Sequence, residues 1–206
     1  MGTLKIYGPA RSRAFRTMWC ANELGVPFEA DPRFPAFESF KSPEFQKINP
    51  LGKIPAIDDD GVIIWESMAA NLYLVQKHGG LLGAHGAAEY GHLLQWSFFA
   101  MTEIEPQALI ILANRMMLPE DKRDPARVEK AVAALAKPLE VLNGALAASG
   151  YLVGGRFTVA DLNVASVLSW ARLAGGVIYK DRPHLSAWSK ACDARPAFKA
   201  AMALMA

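Results

Sequence analysis

The chain has few cysteines for its 206 residues, only Cys20 and Cys192. They stand far apart, and neither belongs to a C-x-x-C or C-x-H pattern. A disulfide framework and a zinc site both need such residues in pairs or at ligand spacing. The sequence therefore disfavours both, and we expect two reduced thiols, with Cys20 among the apolar residues of a helix.

An excess of charge of one sign and a long apolar run are also missing. Lys and Arg number 22 and Asp and Glu number 20, a net charge of +2, which disfavours a charge-driven role in binding DNA or RNA. No apolar run approaches the roughly 20 residues needed to span a bilayer. Residues 1–7 lead into a Pro/Arg-rich stretch without the apolar core of a secretory signal. We therefore expect a cytoplasmic protein that acts without nucleic acid or a membrane.

Apolar residues, in contrast, are plentiful enough to form a core. Hydrophobic residues make up 52% of the chain and charged residues 20%, a composition well away from that of disordered chains. The length fits one large domain or two small ones, because domains typically run to roughly 100–200 residues. The number of domains has to come from the pattern along the chain.

The first eighty residues alternate between strand and helix patterns. An apolar stripe at spacings of three and four predicts a helix that ends at Gly25, because glycine supplies the left-handed cap conformation. The step Asp60-Gly61 predicts a hairpin turn between two apolar runs. The predicted order is strand, helix, strand, irregular segment, strand, strand and helix, at residues 4–7, 15–24, 26–30, 31–53, 54–57, 62–65 and 66–78.

Beyond Gly80 no convincing strand pattern occurs, and the chain becomes rich in alanine and leucine. Apolar residues step by three and four from Val128 to Leu146, which predicts one long helix. Thr158, with Asp161 three residues on, predicts a capped helix start. The helix that follows is apolar nearly all round, so we expect it to be buried. We predict an α/β domain over 1–80, a linker over 81–86 and an all-α domain over 87–206.

Two separate stretches resemble the cytosolic glutathione S-transferase family. One is I-N-P-L-G-K-I-P-A-I at 48–57 with W-E-S at 65–67, and the other is Y-L-V-G at 151–154 with F-T-V-A-D-L at 157–162. The resemblance implies a thioredoxin-like first domain, an all-helical second domain, a homodimer and an active site in the cleft between the domains. We expect a bacterial member of the theta or phi type, with a role in detoxification.

The resemblance also implies a set of glutathione-binding residues, each of which has an ordinary structural reading as well. Pro55 could be a trans proline at a sheet edge, and Ser67 could simply cap a helix. By resemblance, a cis Pro55 turns the Ile54 backbone toward the cysteinyl residue of glutathione, and the start of the helix at Ser67 binds the γ-glutamyl carboxylate. The implied set is Arg11, Lys41, Lys53, Ile54, Pro55, Glu66 and Ser67.

The chemistry requires a thiolate, because the thiol is a poor nucleophile with a pKa of about 8.5. Lowering that pKa by about 2 units takes about 2.7 kcal/mol of preferential stabilisation of the anion. Ser12 lies five residues after Tyr7, the spacing of the catalytic serine in the theta and phi classes. Tyr7 is the alternative, since tyrosine at the end of the first strand serves the alpha, mu and pi classes. We favour Ser12, with Arg11 adding positive potential at the sulfur.

The second substrate is expected to be an apolar electrophile, with Ala10 and Arg115 in its pocket, glutathione as co-substrate and no metal. No cysteine stands in the first loop, residues 9–12, so disulfide exchange of the omega and beta kind is disfavoured. The main hypothesis is a glutathione transferase. A glutathione-dependent peroxidase, dehalogenase or isomerase remains open, as does a binding module that has the fold without turnover.

Overall fold

The computed structural model describes residues 3–174, 179 and 181–205. Their contacts divide the chain into two compact units, one of Met1–Gly83 with Asp193–Ala206 and the other of Ala84–Cys192. The first unit is α/β and thioredoxin-like, and the second is helical. The predicted fold class is therefore confirmed.

A four-stranded mixed sheet with the strand order β2-β1-β3-β4 forms the centre of the first unit. Strand β1 (Leu4–Tyr7) runs parallel to β2 (Phe28–Glu29) and antiparallel to β3 (Ala56–Asp59). Strand β4 (Val62–Trp65) is antiparallel to β3 and forms the edge. Asp60 and Gly61 both have positive φ, which suits the predicted tight hairpin turn.

The helices of the first unit follow the predicted pattern. Helix α1 (Ala14–Leu24) ends at Gly25, whose φ of 65° is the left-handed cap expected there. A 3-10 turn and the short helix α2 (Pro43–Gln46) lead to β3. Helix α3 (Ser67–His78) follows β4 directly. The aromatic cluster of this unit consists of Tyr7, Phe34, Phe40 and Phe45 with Ala56.

The second unit contains the long helical run that begins at α4. Helices α4 (Ala87–Phe99) and α5 (Glu105–Leu112) are joined by one π-helical turn, and a second π-helical turn follows over Ala113–Met117. Helices α6 (Pro125–Ala134), α7 (Ala136–Leu146), α8 (Val159–Leu173) and α9 (Pro183–Ala194) complete it. No helix among the described residues is long and apolar enough to cross a membrane.

The apolar stripe from Val128 to Leu146 forms two helices rather than the single one predicted. Helix α6 ends at Leu135 and α7 begins at once. Pro138 lies one turn beyond the break, and proline has no N–H to continue the helical hydrogen-bond ladder. The stripe itself is buried at Leu135, Leu139, Leu142 and Leu146, whereas Val132 is partly exposed.

Helix α8 is the buried centre of the second unit, as predicted. It begins with the expected capping box, in which Thr158 and Asp161 bond each other's backbone N–H groups. Most of its side chains are buried, including polar ones such as Asn163, which donates to Ser97 Oγ at 2.9 Å.

The last helix places the end of the chain in the first unit. Helix α10 (Pro196–Ala203) packs against α1, and the unit boundaries at Gly83 and Asp193 follow from such contacts. The boundary at Gly83 falls inside the predicted linker 81–86. The predicted domain 87–206 instead assigned this helix to the second half, because sequence alone carries no signal for a helix that returns to the first.

Candidate functional site

The strand register of the first unit brings three predicted site segments to one end of the sheet. Tyr7 pairs with Ala56, and Ala56 pairs with Trp65. The residues one step beyond this row are Gly8, Pro55 and Glu66. The loop after β1, the step before β3 and the start of α3 therefore lie side by side.

Gly8 allows the first of these segments to approach the second closely. Its φ is +124°, and a Cβ atom on it would lie 3.0 Å from Ala14 Cβ and 3.1 Å from Ile54 Cβ. Real Cβ atoms rarely come that close, and few residues with a side chain adopt such a φ. Only glycine fits this position without displacing the loop that carries Ser12.

Ser12 lies half-buried in that loop, just before α1. Its Oγ donates to the carbonyl of Pro9 at 2.6 Å and accepts from the backbone N–H of Ala14 at 3.1 Å. This bond lies just before the helix rather than at its cap, because the N-cap of α1 is Arg13, which makes no side-chain cap hydrogen bond. Accepting from a helical N–H polarises the hydroxyl, which makes its own proton a better hydrogen-bond donor.

Tyr7 is placed differently, because its ring is buried in the aromatic cluster. It is 2% exposed, and its ring centroid lies 5.9 Å from that of Phe34 and 5.8 Å from that of Phe45, both edge-to-face. Burial raises the pKa of the Tyr7 hydroxyl, and Asp58 and Asp31 raise it further. This environment disfavours a tyrosinate and gives the hydroxyl polar neighbours of its own.

The Ile54–Pro55 peptide bond is cis, as the resemblance implied. The segment before it is ordered by Asn49, whose buried side chain donates to the carbonyl of Lys53 at 2.6 Å and accepts from Leu51 N–H at 3.1 Å. Ile54 itself is half-buried. Asn49 is therefore a supporting residue of the turn that leads to Pro55.

Lys41 and Lys53 lie near each other at the edge of the same turn. Lys41 Nζ donates to the carbonyl of Gly52 at 3.0 Å, directly before Lys53, and both lysines are exposed. Gly52 has a φ of +57°, and a Cβ on it would lie 2.9 Å from the carbonyl oxygen of Phe40. Two ammonium groups at one turn would suit a carboxylate.

Glu66 and Ser67 form the junction between β4 and α3. Glu66 is exposed and has a φ of +76°, an uncommon backbone conformation for a residue with a side chain. Its side chain makes no cap hydrogen bond, whereas Ser67 is buried as the first residue of α3. The amino-terminal N–H groups of a helix form a natural site for an anion.

Arg16 is a residue of this site that the sequence analysis missed. It is 1% exposed, and its Nη1 lies 3.4 Å from Ser67 Oγ, which places a guanidinium beside the start of α3. The available signal was that Arg16 is a charged residue inside the apolar run of α1, four residues after Ser12. The guanidinium and the helix start both favour an anion at Ser67.

Arg11 is exposed beside Ser12, and its Nε donates to the backbone carbonyl of Met205 at 2.7 Å. Ala10, which we expected in the electrophile pocket, is buried in the same loop. The first unit thus brings together the loop of 8–13, the turn of 49–55 and the start of α3, with the predicted residues Ala10, Arg11, Ser12, Lys41, Lys53, Ile54, Pro55, Glu66 and Ser67.

Arg115 belongs to the second unit, where it is exposed at the second π-helical turn. Its Nη1 donates to the carbonyl of Ala174 at 2.9 Å. It lines a cavity of about 340 Å³ with Asn114, Arg123, Asp124, Pro125, Val128 and Glu129. Four of these seven residues are charged, but more of the cavity surface is apolar than polar, so the lining does not decide between a polar molecule and the apolar electrophile that we expected.

The described residues contain no group of three or more His, Cys, Asp and Glu side chains that could hold a metal ion. Both cysteines are buried and unpaired with each other, and burial raises the pKa of the Cys20 thiol. The predicted site residues supply hydroxyl, guanidinium, ammonium, carboxylate and backbone groups.

Known proteins share this architecture and sequence. The N-terminal domain family of glutathione S-transferase matches residues 2–76, and the C-terminal domain family matches residues 100–196. Glutathione S-transferase 3 of Zea mays is 35% identical over 98% of this chain and 95% of its own. Elongation factor 1-gamma 2 of Oryza sativa subsp. japonica is 31% identical over 93% of this chain but only 46% of its own.

Among solved structures, glutathione S-transferase-I bound with the ligand lactoylglutathione superposes with a TM-score of 0.89 at 28% identity, over 99% of this chain and 100% of its own. The curated relatives named above are plant proteins, so they give the expected bacterial origin no support.

Proposed function

The chain belongs to the glutathione S-transferase family, and on that premise we propose that it conjugates the thiolate of glutathione to small apolar electrophiles. The observation that carries the proposal is the strand register, because it aligns the Ser12 loop, the Ile54–Pro55 step and Glu66 at one end of the sheet. Glutathione would be the co-substrate, without a metal.

Each part of glutathione has a candidate partner in the first unit. The backbone of Ile54, next to Pro55, would pair with the cysteinyl residue as a short added strand. Ser67 and the first N–H groups of α3 would bind the γ-glutamyl carboxylate, with Glu66 at its ammonium group. Lys41, with Lys53 as a second contact, would bind the glycyl carboxylate.

Ser12 would stabilise the thiolate. Its hydroxyl proton, which now points to Pro9, would turn to the sulfur while Oγ keeps the N–H of Ala14. The thiol proton would pass to water, and the thiolate would then attack the electrophilic carbon. It would either displace a leaving group, which departs with the bonding electron pair, or add to a double bond whose electron pair then takes a proton from water. A hydroxyl donor with first-turn amides behind it can supply the about 2.7 kcal/mol that a shift of about 2 pKa units needs. Arg11 adds positive charge nearby.

One titration tests this assignment. Thiolate absorbance of bound glutathione is followed against pH for the wild-type protein, Ser12→Ala and Tyr7→Phe. We expect Ser12→Ala to raise the thiol pKa by about 1 unit or more, about 1.4 kcal/mol. Tyr7→Phe should leave it within about 0.3 units, since the ring is buried in the aromatic cluster and its hydroxyl already has Arg33 as a hydrogen-bond partner. The opposite order would assign the thiolate to Tyr7.

A second candidate function is a binding module without turnover, which the similarity to elongation factor 1-gamma favours. That module would have no need for a lowered thiol pKa, so the same titration separates the two. Peroxidase, dehalogenase or isomerase activity would start from the same thiolate. Product analysis after incubation with a peroxide, a halide or an isomerisable substrate distinguishes those reactions from conjugation. The electrophile roles of Ala10 and Arg115 stay predictions.

A homodimer is part of the proposal. Edge strand β4 exposes Val62, Ile63 and Trp65, each 40% or more, and an exposed apolar edge of this kind is commonly covered by another chain. A cytoplasmic location and a role in detoxification go with the proposed activity.

A further inference from the structure

The carboxyl-terminal helix follows α1 from one end to the other within the first unit. Near the carboxyl end of α1, Arg195 pairs with Glu23 through two contacts of 2.5 and 2.8 Å. Next to this pair, Asn22 Nδ2 donates to the carbonyl of Ala197 at 3.4 Å. The two helices therefore start their contact at the end of α1 that is remote from Ser12.

The middle of this contact is aromatic. The ring of Phe198 lies edge-to-face on Trp19 at 4.9 Å and on Phe15 at 5.6 Å. Phe198 and Ala201 are both buried. Edge-to-face aromatic pairs stabilise a contact beyond the area that they bury. The packing therefore fixes the direction in which the chain leaves α10.

The chain then reaches the loop before α1. Met205, two residues beyond α10, accepts a hydrogen bond at 2.7 Å from Arg11 Nε. Arg11 directly precedes Ser12, whose N–H is itself held by the carbonyl of Pro9 at 3.1 Å. A bond to a charged guanidinium is among the stronger hydrogen bonds, and this one joins two residues 194 positions apart.

We infer that the carboxyl-terminal residues hold the loop that carries Ser12 in place, through the hydrogen bond from Arg11 to the carbonyl of Met205. Arg11 is on this account a positioning residue, and the bond is made by backbone, so the side chain of Met205 is immaterial. The inference deepens the proposed function and rests on it, since Ser12 is taken as the thiolate donor.

The test is a double-mutant cycle between Arg11→Ala and a chain that ends at Ala203, where α10 is complete. We expect the truncation to lower kcat/KM for glutathione by about threefold to tenfold and to raise the bound thiol pKa by about 0.5 units. In the Arg11→Ala background the same truncation should leave kcat/KM and the thiol pKa unchanged, because the side chain that bonds the Met205 carbonyl is already missing. Arg11→Lys, which can still donate to the carbonyl, should restore part of the loss.

Leu204→Ala is the matched control, since it alters an exposed side chain in the same segment and keeps the full chain. It should behave as wild type. The inference is overturned if the truncation lowers kcat/KM equally in both backgrounds, or if it lowers kcat/KM in neither. The first result would mean that the chain end acts independently of Arg11, and the second that the bond does not matter.

Amide hydrogen exchange without glutathione separates the inference from the proposed function. The N–H groups of Ser12, Ala14 and Phe15, bonded within the loop, should exchange several-fold faster in the truncated chain and in Arg11→Ala but not in Leu204→Ala. If the wild-type protein binds no glutathione, the proposed function fails. The exchange rates still decide whether the bond from Arg11 to Met205 holds the loop. Unchanged exchange in both variants overturns the inference.

Discussion

At the scale of single residues, Arg16 connects α1 to the proposed anion site at the start of α3. Its guanidinium lies 3.4 Å from Ser67 Oγ and is almost fully buried. Charge in such a site is screened less than on the surface. Arg16 should therefore strengthen the binding of the γ-glutamyl carboxylate more than it affects the sulfur.

We predict that Arg16→Met, which keeps the stem volume and removes the charge, raises KM for glutathione by about tenfold, about 1.4 kcal/mol. The value of kcat should change by about threefold or less, because the lost contact is not at the reacting atom. Steady-state kinetics against glutathione measure both. Arg33→Met is the control, since Arg33 pairs with Asp31 away from Ser67. An equal rise in KM for both variants would contradict the assignment.

The sequence was informative about residues of the site where a local motif carries them. The motif at 48–57 implied the cis bond at Pro55 through the family resemblance, and the apolar pattern after Trp65 predicted the helix that begins at Ser67. Arg16 was missed although it interrupts an apolar run. No short sequence pattern predicts the bond between Arg11 and Met205, because a contact between residues so far apart in the chain is decided by tertiary packing.

At the scale of elements, the capping box of α8 is part of a hydrogen-bond network centred on Asp161. The Asp161 carboxylate accepts from Leu152 N–H, Thr158 N–H, Thr158 Oγ and Trp188 Nε1, at 2.9–3.0 Å. All four bonds are buried or partly buried. Burial raises the pKa of this carboxyl, and the hydrogen bonds oppose the rise.

We predict that Asp161→Ala lowers the free energy of unfolding by about 3–5 kcal/mol, because several buried donors lose their acceptor. Asp124→Ala provides the comparison: Asp124 caps α6 by accepting from Arg127 N–H at 3.0 Å but is exposed. Asp124→Ala should lower the free energy of unfolding by about 1 kcal/mol. Urea unfolding followed by circular dichroism measures both. Equal losses would mean that burial of the Asp161 network adds nothing to its capping.

An ion pair joins the beginning of α4 to the loop before α8. Arg156 bonds Glu89 through two contacts of 2.7 and 3.2 Å, and the hydrogen bond from Arg156 lowers the pKa of Glu89 to about 2. A carboxyl with a lowered pKa stabilises the fold above its unfolded pKa of about 4.5 and loses that contribution as the pH falls toward about 2.

Arg156→Gln should therefore flatten the fall in stability between about pH 4.5 and pH 2 relative to wild type. Urea midpoints measured across that range give the slope for each protein. Arg127→Gln removes an exposed arginine from α6 and should keep the wild-type slope. If Arg156→Gln also keeps that slope, the pair does not stabilise the fold in solution.

Elements were predictable where the apolar periodicity and the residues that end a helix or form a turn agree, as in α1 with Gly25 and the hairpin with Asp60-Gly61. The single helix expected from Val128 to Leu146 was wrong because the apolar stripe continues across the interruption. Leu135 and Leu139 stay buried on both sides, so burial alone cannot show the break. Pro138 was the available signal, since its missing N–H removes a bond of the ladder.

At the scale of the whole molecule, the net charge of +2 conceals local concentrations of charge. Lys41, Lys53, Arg11 and Arg16 all belong to the first unit and lie in the segments that we assign to a small anionic tripeptide. A sum over the chain cannot show this, since acidic residues elsewhere balance them. A low net charge is thus compatible with recognition of an anion at one site.

The apolar edge strand raises the question of oligomeric state. Val62 and Ile63 are 46% and 40% exposed on β4, and β4 pairs only with β3 among the described strands. We predict that the wild-type protein sediments at twice its chain mass of 22.4 kDa and that Val62→Lys combined with Ile63→Lys shifts it to the monomer.

The expected effect is large because a two-fold dimer presents the same surface from both protomers, so two lysines in each chain place four like charges at one interface. Lysine on an edge strand also discourages pairing with another strand. Val132→Lys is the control, since Val132 is an apolar residue of similar exposure on α6, and it should leave the mass unchanged. Sedimentation velocity at several concentrations decides the matter. A double variant that remains dimeric would place the interface on another surface, and a wild-type monomer would remove the dimer from the proposal.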